Sequence, residues 1–181
     1  MLAFSSGGVD SAGEVDLHAV LLTPERGVPL VLHRPYWLGS MEITSRDPQD
    51  PPRIRLGLFD HPDDLNRMVA GIRETRKIME SGPLEKCIRA ETWPGPEAVT
   101  DDDLVRAVLA GKNTCCRTVG TCAMDGEGIP AAVVDQSGKV HGVDGLYVID
   151  APIMPDISAE PTNTTVMMMA ERCADELRGG A

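Results

Sequence analysis

Aromatic side chains are scarce in this sequence: phenylalanine, tyrosine and tryptophan make up 3% of its 181 residues. Bases of single-stranded nucleic acids are commonly held by stacking on aromatic rings, so the composition disfavours platforms of that kind. Positive charge is also in deficit, because 17 lysines and arginines stand against 28 aspartates and glutamates, which gives a net charge of −11. A surface this acidic repels phosphate backbones and anionic lipid headgroups. The composition therefore disfavours nucleic-acid binding and docking to an anionic membrane.

Long apolar runs and paired cysteines are missing as well. No run approaches the roughly 20 apolar residues that a membrane-spanning helix needs, and the N-terminus lacks the charged-then-apolar pattern of a signal peptide. The five cysteines are an odd number without a C-x-x-C pair, which argues against a disulfide framework. We therefore expect a reduced, cytoplasmic protein.

The adjacent Cys115 and Cys116, with Cys122 nearby, raise the question of a metal site. Structural zinc requires four ligands at short, regular spacings, and the four histidines of the sequence are scattered away from these cysteines. Cysteines outside disulfides are among the most buried residue types. We therefore expect buried thiols and no metal, and we expect the methionines at 167–169 to lie in the core for the same reason.

Glycine and proline are abundant, with 18 and 14 residues, so many loops are expected. Residues 1–13 are small and without periodicity, and they predict a flexible leading segment. Apolar and polar residues alternate over 14–22, which predicts a half-buried strand. Shorter strands are predicted at 28–33 and 41–45. The prolines between and after these runs indicate an antiparallel sheet with turns.

The period then changes to that of a helix. Apolar residues repeat at helical spacing from Leu65 to Met79, after an acidic start with Pro62 at the first helical position, which predicts a helix of about 18 residues. A second helix is predicted from the N-cap Thr100 to Gly111, with Asp103 placed to complete a capping box. Its three consecutive aspartates are interpreted as a solvated helix start.

The last third of the sequence predicts strands at 131–135 and 139–143, joined by a turn. The continuous apolar run at 146–150 is typical of a strand buried on both faces of a parallel sheet, and 164–177 predicts a helix. Gly126, Gly128 and Ala131 match the spacing of a dinucleotide-binding fingerprint. That fingerprint must follow a strand and open a helix, whereas here Pro130 precedes a predicted strand, so a turn is the favoured interpretation.

A run of short motifs follows in fixed order along the second half of the sequence. They are VGTCAM at 119–124, AVVD at 132–135, VHGVDGL at 140–146, VIDA at 148–151, MP at 154–155, TN at 162–163 and MMAER at 168–172. Upstream lie GS at 39–40, SRDP at 45–48, DPP at 50–52 and the predicted helix at 64–79. Together these resemble the C-terminal part of the glucose–methanol–choline (GMC) flavoprotein oxidoreductases, over roughly residues 30–178.

The resemblance implies an α+β fold in which 14–143 is the substrate-domain portion, an antiparallel sheet with flanking helices. Residues 144–181 would be a strand and a helix that return to complete the FAD-binding domain. It also implies FAD as cofactor and a small-molecule alcohol as substrate, whose CH–OH carbon passes a hydride to flavin N5 while a base removes the hydroxyl proton. Asp150, Ala151, Asn163 and Thr164 match the stretch that wraps the flavin. Asn163 also matches a catalytic position.

Two departures from the family pattern affect the implied activity. Arg117 stands where the family has a histidine, and Thr118 where a proline is usual. Arginine keeps its proton at any relevant pH and cannot serve as a general base, but it could hold an alkoxide or a carboxylate. The alternative is that Arg117 only pairs with a surface acid.

The second departure is that no glycine-rich fingerprint of the correct context is present. The chain is therefore interpreted as the C-terminal portion of an FAD-dependent oxidoreductase, whose FAD-binding half lies in a second chain or in a missing N-terminal half. The alternative is a non-catalytic fragment that binds no flavin.

Overall fold

A computed structural model describes residues 2–7, 15–20 and 28–179 of the chain. The chain divides into two units, Met1–Cys115 and Cys116–Ala181. Its strands pair in antiparallel fashion and are accompanied by helices, so the predicted α+β class is confirmed. The unit boundary differs from the predicted division at 143, and the assignment of 14–143 and 144–181 to two domains of a larger fold stays a prediction.

Three short strands begin the first unit: β1 at Leu2–Phe4, β2 at Leu17–Ala19 and β3 at Leu30–Leu32. They form an antiparallel sheet with β2 in the centre. Residues 2–4 of the predicted flexible leading segment pair with β2, and the flexibility of the segment stays a prediction. Residues 8–14 and 21–27 lie outside the described residues, and with them the ends of the predicted strand at 14–22.

A separate two-stranded ladder joins β4 at Ser40–Glu42 to β5 at Arg53–Arg55, with Met41 opposite Ile54. The strand predicted at 41–45 is therefore shorter and begins one residue earlier. Sequence analysis missed β5, because an alternation of three residues after two prolines is too short to give a signal.

Helix α1 spans Pro62–Met79, α2 Gly82–Glu85 and α3 Asp101–Gly111. Both long helices are confirmed, and Thr100 and Asp103 form the predicted capping box. Gly71 lets α1 approach the sheet closely, because a Cβ there would lie 2.8 Å from Leu17 Cδ1 and 2.9 Å from Leu30 Cδ2. The buried core cluster consists of Leu17, Met68, Val69, Ile72, Ala98, Leu104 and Val108.

Arg67 of α1 is buried in an ion cluster beside this core. Its Nη2 lies 2.6 Å from Oδ2 of Asp16, and its Nη1 lies 2.8 Å from Oδ1 of Asp64. Each of these side chains is at most 4% exposed. The other oxygen of Asp64 accepts hydrogen bonds from the backbone N–H groups of Tyr36 and Trp37 at 2.8 and 2.9 Å. The cluster therefore joins β2, α1 and the loop that follows β3.

The pKa values of the two carboxyl groups in the cluster are shifted in opposite directions. Burial raises the pKa of Asp64 above its ordinary value, and the hydrogen bonds from Tyr36 and Trp37 and the charge of Arg67 do not offset it. Burial also acts upward on the pKa of Asp16, but hydrogen bonds from Ser6 and Arg67 outweigh it and leave that pKa below its ordinary value. Burial is the largest single influence on both pKa values, but only at Asp64 does it outweigh the opposing influences taken together.

The second unit contains few regular elements. Isolated bridges pair Met124 with Val134, Val134 with Val140, and Lys139 with Tyr147. The strands predicted at 131–135 and 139–143 are therefore reduced to isolated bridges at Val134, Lys139 and Val140. Asp135 closes the predicted turn between them, because its Oδ1 accepts hydrogen bonds from the N–H groups of Ser137 and Lys139. A 3₁₀ turn at Ala151–Ile153 and helix α4 at Thr162–Leu177 follow.

The apolar run at 146–150 forms an isolated bridge at Tyr147 instead of a regular strand, and its place in a parallel sheet of a larger fold stays a prediction. Leu146 and Tyr147 are 49% and 38% exposed, and the segment pairs only with residues 138–140, in antiparallel fashion. An apolar run forms a strand buried on both faces only where other elements pack against both faces and other strands pair with both edges. Among the residues that the structure describes, this segment has one such neighbour.

Two expectations about sulfur-containing side chains are wrong. Cys115 and Cys116 are exposed and Cys122 is half-buried, because the segment after α3 has no regular structure in which to bury them. Met167 and Met168 are 54% and 63% exposed. The buried stripe of α4 contains Thr162 and Cys173, and the two methionines lie off that stripe.

Because the ion cluster is buried, we expect removal of its cation to lower the free energy of unfolding substantially. We expect Arg67→Met to lower the free energy of unfolding by about 3–5 kcal/mol, because it leaves two carboxylates buried without a charge partner. Arg73→Met on the same helix is the control, since the Arg73–Asp101 pair is exposed and such pairs contribute about 0–1 kcal/mol. Urea unfolding of both variants measures the difference. Equal losses would contradict the assigned role of the cluster.

Gly138 predicts a second difference in stability. It has a φ of +81°, and a Cβ there would lie 2.7 Å from the carbonyl oxygen of Val148, whereas Gly145 has a φ of +75° and open space. We expect Gly145→Ala to cost about 1–2 kcal/mol from the backbone conformation alone. Gly138→Ala should cost at least about 1 kcal/mol more, because the hydrogen bond from Val148 N–H to Gly138 O must also distort. Urea unfolding that ranks the two variants equally would refute the close contact.

Candidate functional site

Backbone hydrogen bonds place the segment that follows Arg117 beside the 3₁₀ turn at Ala151–Ile153. The N–H of Cys122 donates to Pro152 O at 3.0 Å, and the N–H of Met124 donates to Ile153 O at 2.8 Å. Ile153 and Met154, next to this contact, are buried. The structure thus brings together two of the sequence stretches that were expected to contribute to a site.

Asp150 and Ala151 open the 3₁₀ turn and bond to each other. Asp150 is its N-cap, and its Oδ1 accepts a hydrogen bond from the N–H of Ala151 at 2.7 Å. Asp150 is exposed. Because the N–H of Ala151 is already used, a ligand at this turn would meet the Asp150 carboxylate and not that amide.

Asn163 and Thr164 lie in the first turn of α4, and both are exposed. Helix α4 begins at Thr162, two residues earlier than predicted, and its N-cap Pro161 provides no side-chain hydrogen bond to the first turn. The first N–H groups of a helix have no partner within the helix, and they carry the positive end of the helix dipole. This end of α4 therefore offers N–H donors and a positive potential to a ligand.

Arg117 is exposed in the segment between α3 and the 119–124 motif, and Thr118 beside it is exposed as well. Its guanidinium adds a permanent positive charge to the second unit. A fixed cation can bind an oxyanion or a carboxylate but cannot accept a proton. The chemistry open to Arg117 is therefore anion binding.

Sequence reasoning included Asp135 and Gly120 in the AVVD and VGTCAM motifs but gave neither of them a structural role. Asp135 anchors the turn that leads to the 140–151 stretch, and its pKa is lowered chiefly by the hydrogen bond from the Ser137 hydroxyl. Gly120, within the 119–124 motif, has a φ of +86°, a conformation that favours glycine. The D-x-S-G spacing of 135–138 was the available signal for the turn. No sequence signal indicated Gly120 beyond its residue type.

The donor groups of the second unit fit the polar edge of a flavin. An isoalloxazine ring presents carbonyl oxygens and, when reduced, a negative charge, and both are satisfied by helix N-terminal amides and by fixed cations. The structure supplies such groups at the start of α4 and at Arg117.

Within residues 2–7, 15–20 and 28–179, no helix is both long enough and apolar enough to cross a bilayer.

Residues 35–170 match the family model described as GMC oxidoreductase. The chain is 38% identical over 141 residues to the oxygen-dependent choline dehydrogenase 1 of Chromohalobacter salexigens, and 39% identical over 141 residues to that of Escherichia coli O127:H6. Each alignment covers 78% of this chain and 25% of the relative. The chain therefore spans about a quarter of the length of these curated relatives.

Solved structures give a consistent result. A formate oxidase of Aspergillus oryzae, studied for its FAD modification, superimposes with a TM-score of 0.72 and 32% identity, over 86% of this chain and 28% of the other. The pyridoxine 4-oxidase of Mesorbium loti gives a TM-score of 0.74 over 86% of this chain and 30% of the other, and at 24% identity it supports the fold alone. Because the family model matches well over half of the chain, the chain belongs to the GMC oxidoreductase family.

Proposed function

We propose that the chain is the C-terminal, substrate-side portion of an FAD-dependent oxidoreductase that oxidises a CH–OH donor. The observation that carries the proposal is the open first turn of α4, where exposed Asn163 and Thr164 lie inside the stretch that matches the family. Choline is what the named curated relatives act on. For this chain the substrate class proposed is a small alcohol.

Bound FAD would supply the hydride acceptor of this reaction. Asp150 and Ala151 in the 3₁₀ turn, the latter through groups other than its N–H, are proposed to hold its ring together with Asn163 and Thr164 at the start of α4. The amide of Asn163 is also proposed to orient the substrate hydroxyl, because an amide side chain both donates and accepts hydrogen bonds. Arg117 is proposed to stabilise the oxygen as it becomes negative.

The remaining part of the active enzyme must carry the dinucleotide-binding fingerprint. Phosphate binding in that fold uses a glycine-rich turn and a helix N-terminus directly after a strand. The G-x-G stretch at Gly126 and Gly128 lies at a turn and is followed by isolated bridges at Val134 instead of a helix, so it does not provide that arrangement. We propose that a second chain, or an N-terminal half of the same protein, provides it. The rival proposal is a non-catalytic fragment.

Flavin binding distinguishes these proposals. We expect the isolated chain to lose added FAD on desalting, because the groups that would hold the pyrophosphate are not among its motifs. Co-expression with the N-terminal portion of a choline dehydrogenase, up to the aligned 141 residues, should yield a complex with a stoichiometric visible flavin spectrum that bleaches anaerobically with an alcohol. The N-terminal portion expressed alone is the control. A complex that forms without flavin would favour the non-catalytic fragment.

Arg117 provides a test of the site within such a complex. We expect Arg117→Ala to lower kcat by about 10²-fold, the effect of removing one preorganised oxyanion donor. The wild-type rate should show no inflection near neutral pH, whereas Arg117→His should introduce one, because an imidazole titrates there. Arg178→Ala, which changes an exposed arginine beyond the C-terminal end of α4, should leave the rate unchanged. Full activity of Arg117→Ala with an unaltered pH profile would exclude the role proposed for Arg117.

A further inference from the structure

We propose that the apolar face of the β4–β5 ladder is a docking surface for the N-terminal portion of a GMC oxidoreductase, which covers it with apolar side chains of its own. This apolar face consists of Met41, Ile43 and Ile54. The inference rests on the proposed function in one respect, because it takes the partner to be the portion of the enzyme that carries the FAD-binding fingerprint. The surface itself is argued from the geometry of the ladder.

The ladder has one apolar face and one polar face. Met41 of β4 lies directly opposite Ile54 of β5, and Ile43 follows Met41 at the spacing of two that returns a strand to the same face. On the other face Glu42 pairs with Arg53 across the ladder, with 3.4 Å between Nη1 and Oε2. The remaining residues of the two strands are a serine and an arginine. This alternation is typical of antiparallel strands with one face packed and the other in water.

The described part of the chain does not cover the apolar face. Met41, Ile54 and Ile43 are 49%, 61% and 85% exposed, and among the described strands β4 and β5 pair only with each other. A two-stranded ladder is marginally stable in water by itself, and it becomes stable when further strands or a helix pack on its apolar side. An alternating pattern whose apolar side lies in water therefore indicates a surface that another segment covers.

The base of the ladder is held closely against the rest of the first unit. A Cβ on Gly39 would lie 2.5 Å from the carbonyl oxygen of Arg55, so the two strands meet there more closely than a side chain would allow. Trp37 packs its ring against that of Phe59, with centroids 4.8 Å apart. Its backbone N–H donates to the buried carboxylate of Asp64 at 2.9 Å. A surface fixed in this way loses little freedom on binding, so the ladder presents its apolar face in one position.

The lengths of the relatives indicate what covers this face. The family match begins at residue 35 and therefore includes the ladder. The curated choline dehydrogenases align over 141 residues that make up 25% of their own length, so about three quarters of each relative lies outside the alignment. In such an enzyme the equivalent of the apolar face has a large amount of further chain to pack against. A second copy of this chain is the competing occupant, and the experiment distinguishes the two.

A carboxylate placed on the apolar face tests the proposal in the full chain. Met41→Glu and Ile54→Glu introduce it on that face, and Ser40→Glu, on the polar face of β4, is the matched control. All three positions are exposed, so the isolated variants should unfold in urea at the same midpoint as the wild type. This measurement shows that any loss of binding is not a loss of folding.

Binding is measured on complexes co-expressed with the N-terminal portion of a choline dehydrogenase, up to the aligned 141 residues. Sedimentation over a dilution series gives the dissociation constant of each complex. We expect Met41→Glu and Ile54→Glu to raise it at least about 30-fold, the effect of losing a central interface residue. The Ser40→Glu complex should dissociate like the wild type.

Association and flavin content are measured separately, so the two proposals can fail independently. A complex that holds flavin and is equally tight with Ile54→Glu would overturn the docking surface and leave the proposed function standing. A complex that requires the apolar face but holds no flavin would support the surface and contradict the proposed function. Wild-type portions that do not associate, or a dimer of this chain alone that Ile54→Glu dissociates, would refute the proposed occupant.

Discussion

The first unit depends on the requirement that a buried guanidinium be fully paired. Arg67 cannot lose its proton, so its burial in α1 requires carboxylates from elsewhere in the chain. Asp16 comes from the residue before β2 and Asp64 from the first turn of α1 itself, while the ring of Tyr36 lies 4.5 Å beneath the guanidinium carbon. One side chain thus fixes a strand, a helix and a loop, and the apolar contacts around Leu17 and Gly71 follow from that placement.

Helices were predictable from this sequence where local chemistry defines both ends. Pro62 and Thr100 mark the starts of α1 and α3, and the caps form between residues close in sequence. The same local view misjudged Asp64. Sequence reasoning counted it only among the acidic residues that begin α1, whereas it also accepts hydrogen bonds from the backbone amides of Tyr36 and Trp37, far away in sequence. Pairing over that distance leaves no periodic signal, so the cluster could not be predicted.

Strands and burial were predicted less well, because both depend on neighbours that periodicity does not reveal. The apolar run at 146–150 is composed like a buried strand, yet Leu146 and Tyr147 are exposed. Among the residues that the structure describes, the run pairs along one edge. Residue type likewise suggested buried thiols at Cys115 and Cys116, where the absence of regular structure leaves them exposed. For the candidate site, the order of the motifs identified the candidate residues. The hydrogen bonds of Cys122 and Met124 to the 3₁₀ turn could be seen only in the structure.

Charge explains why a few cationic groups matter in this chain. With a net charge of −11, the general field disfavours any anion, whether a reduced flavin or an alkoxide. Anion stabilisation must therefore be local, and the second unit provides two local sources: the guanidinium of Arg117 and the uncapped first turn of α4. An arginine side chain keeps its charge at any relevant pH, and the amides of a helix start carry a fixed dipole. A site built on them would stabilise negative charge over a wide pH range, and proton removal from the substrate would have to be done by a different group.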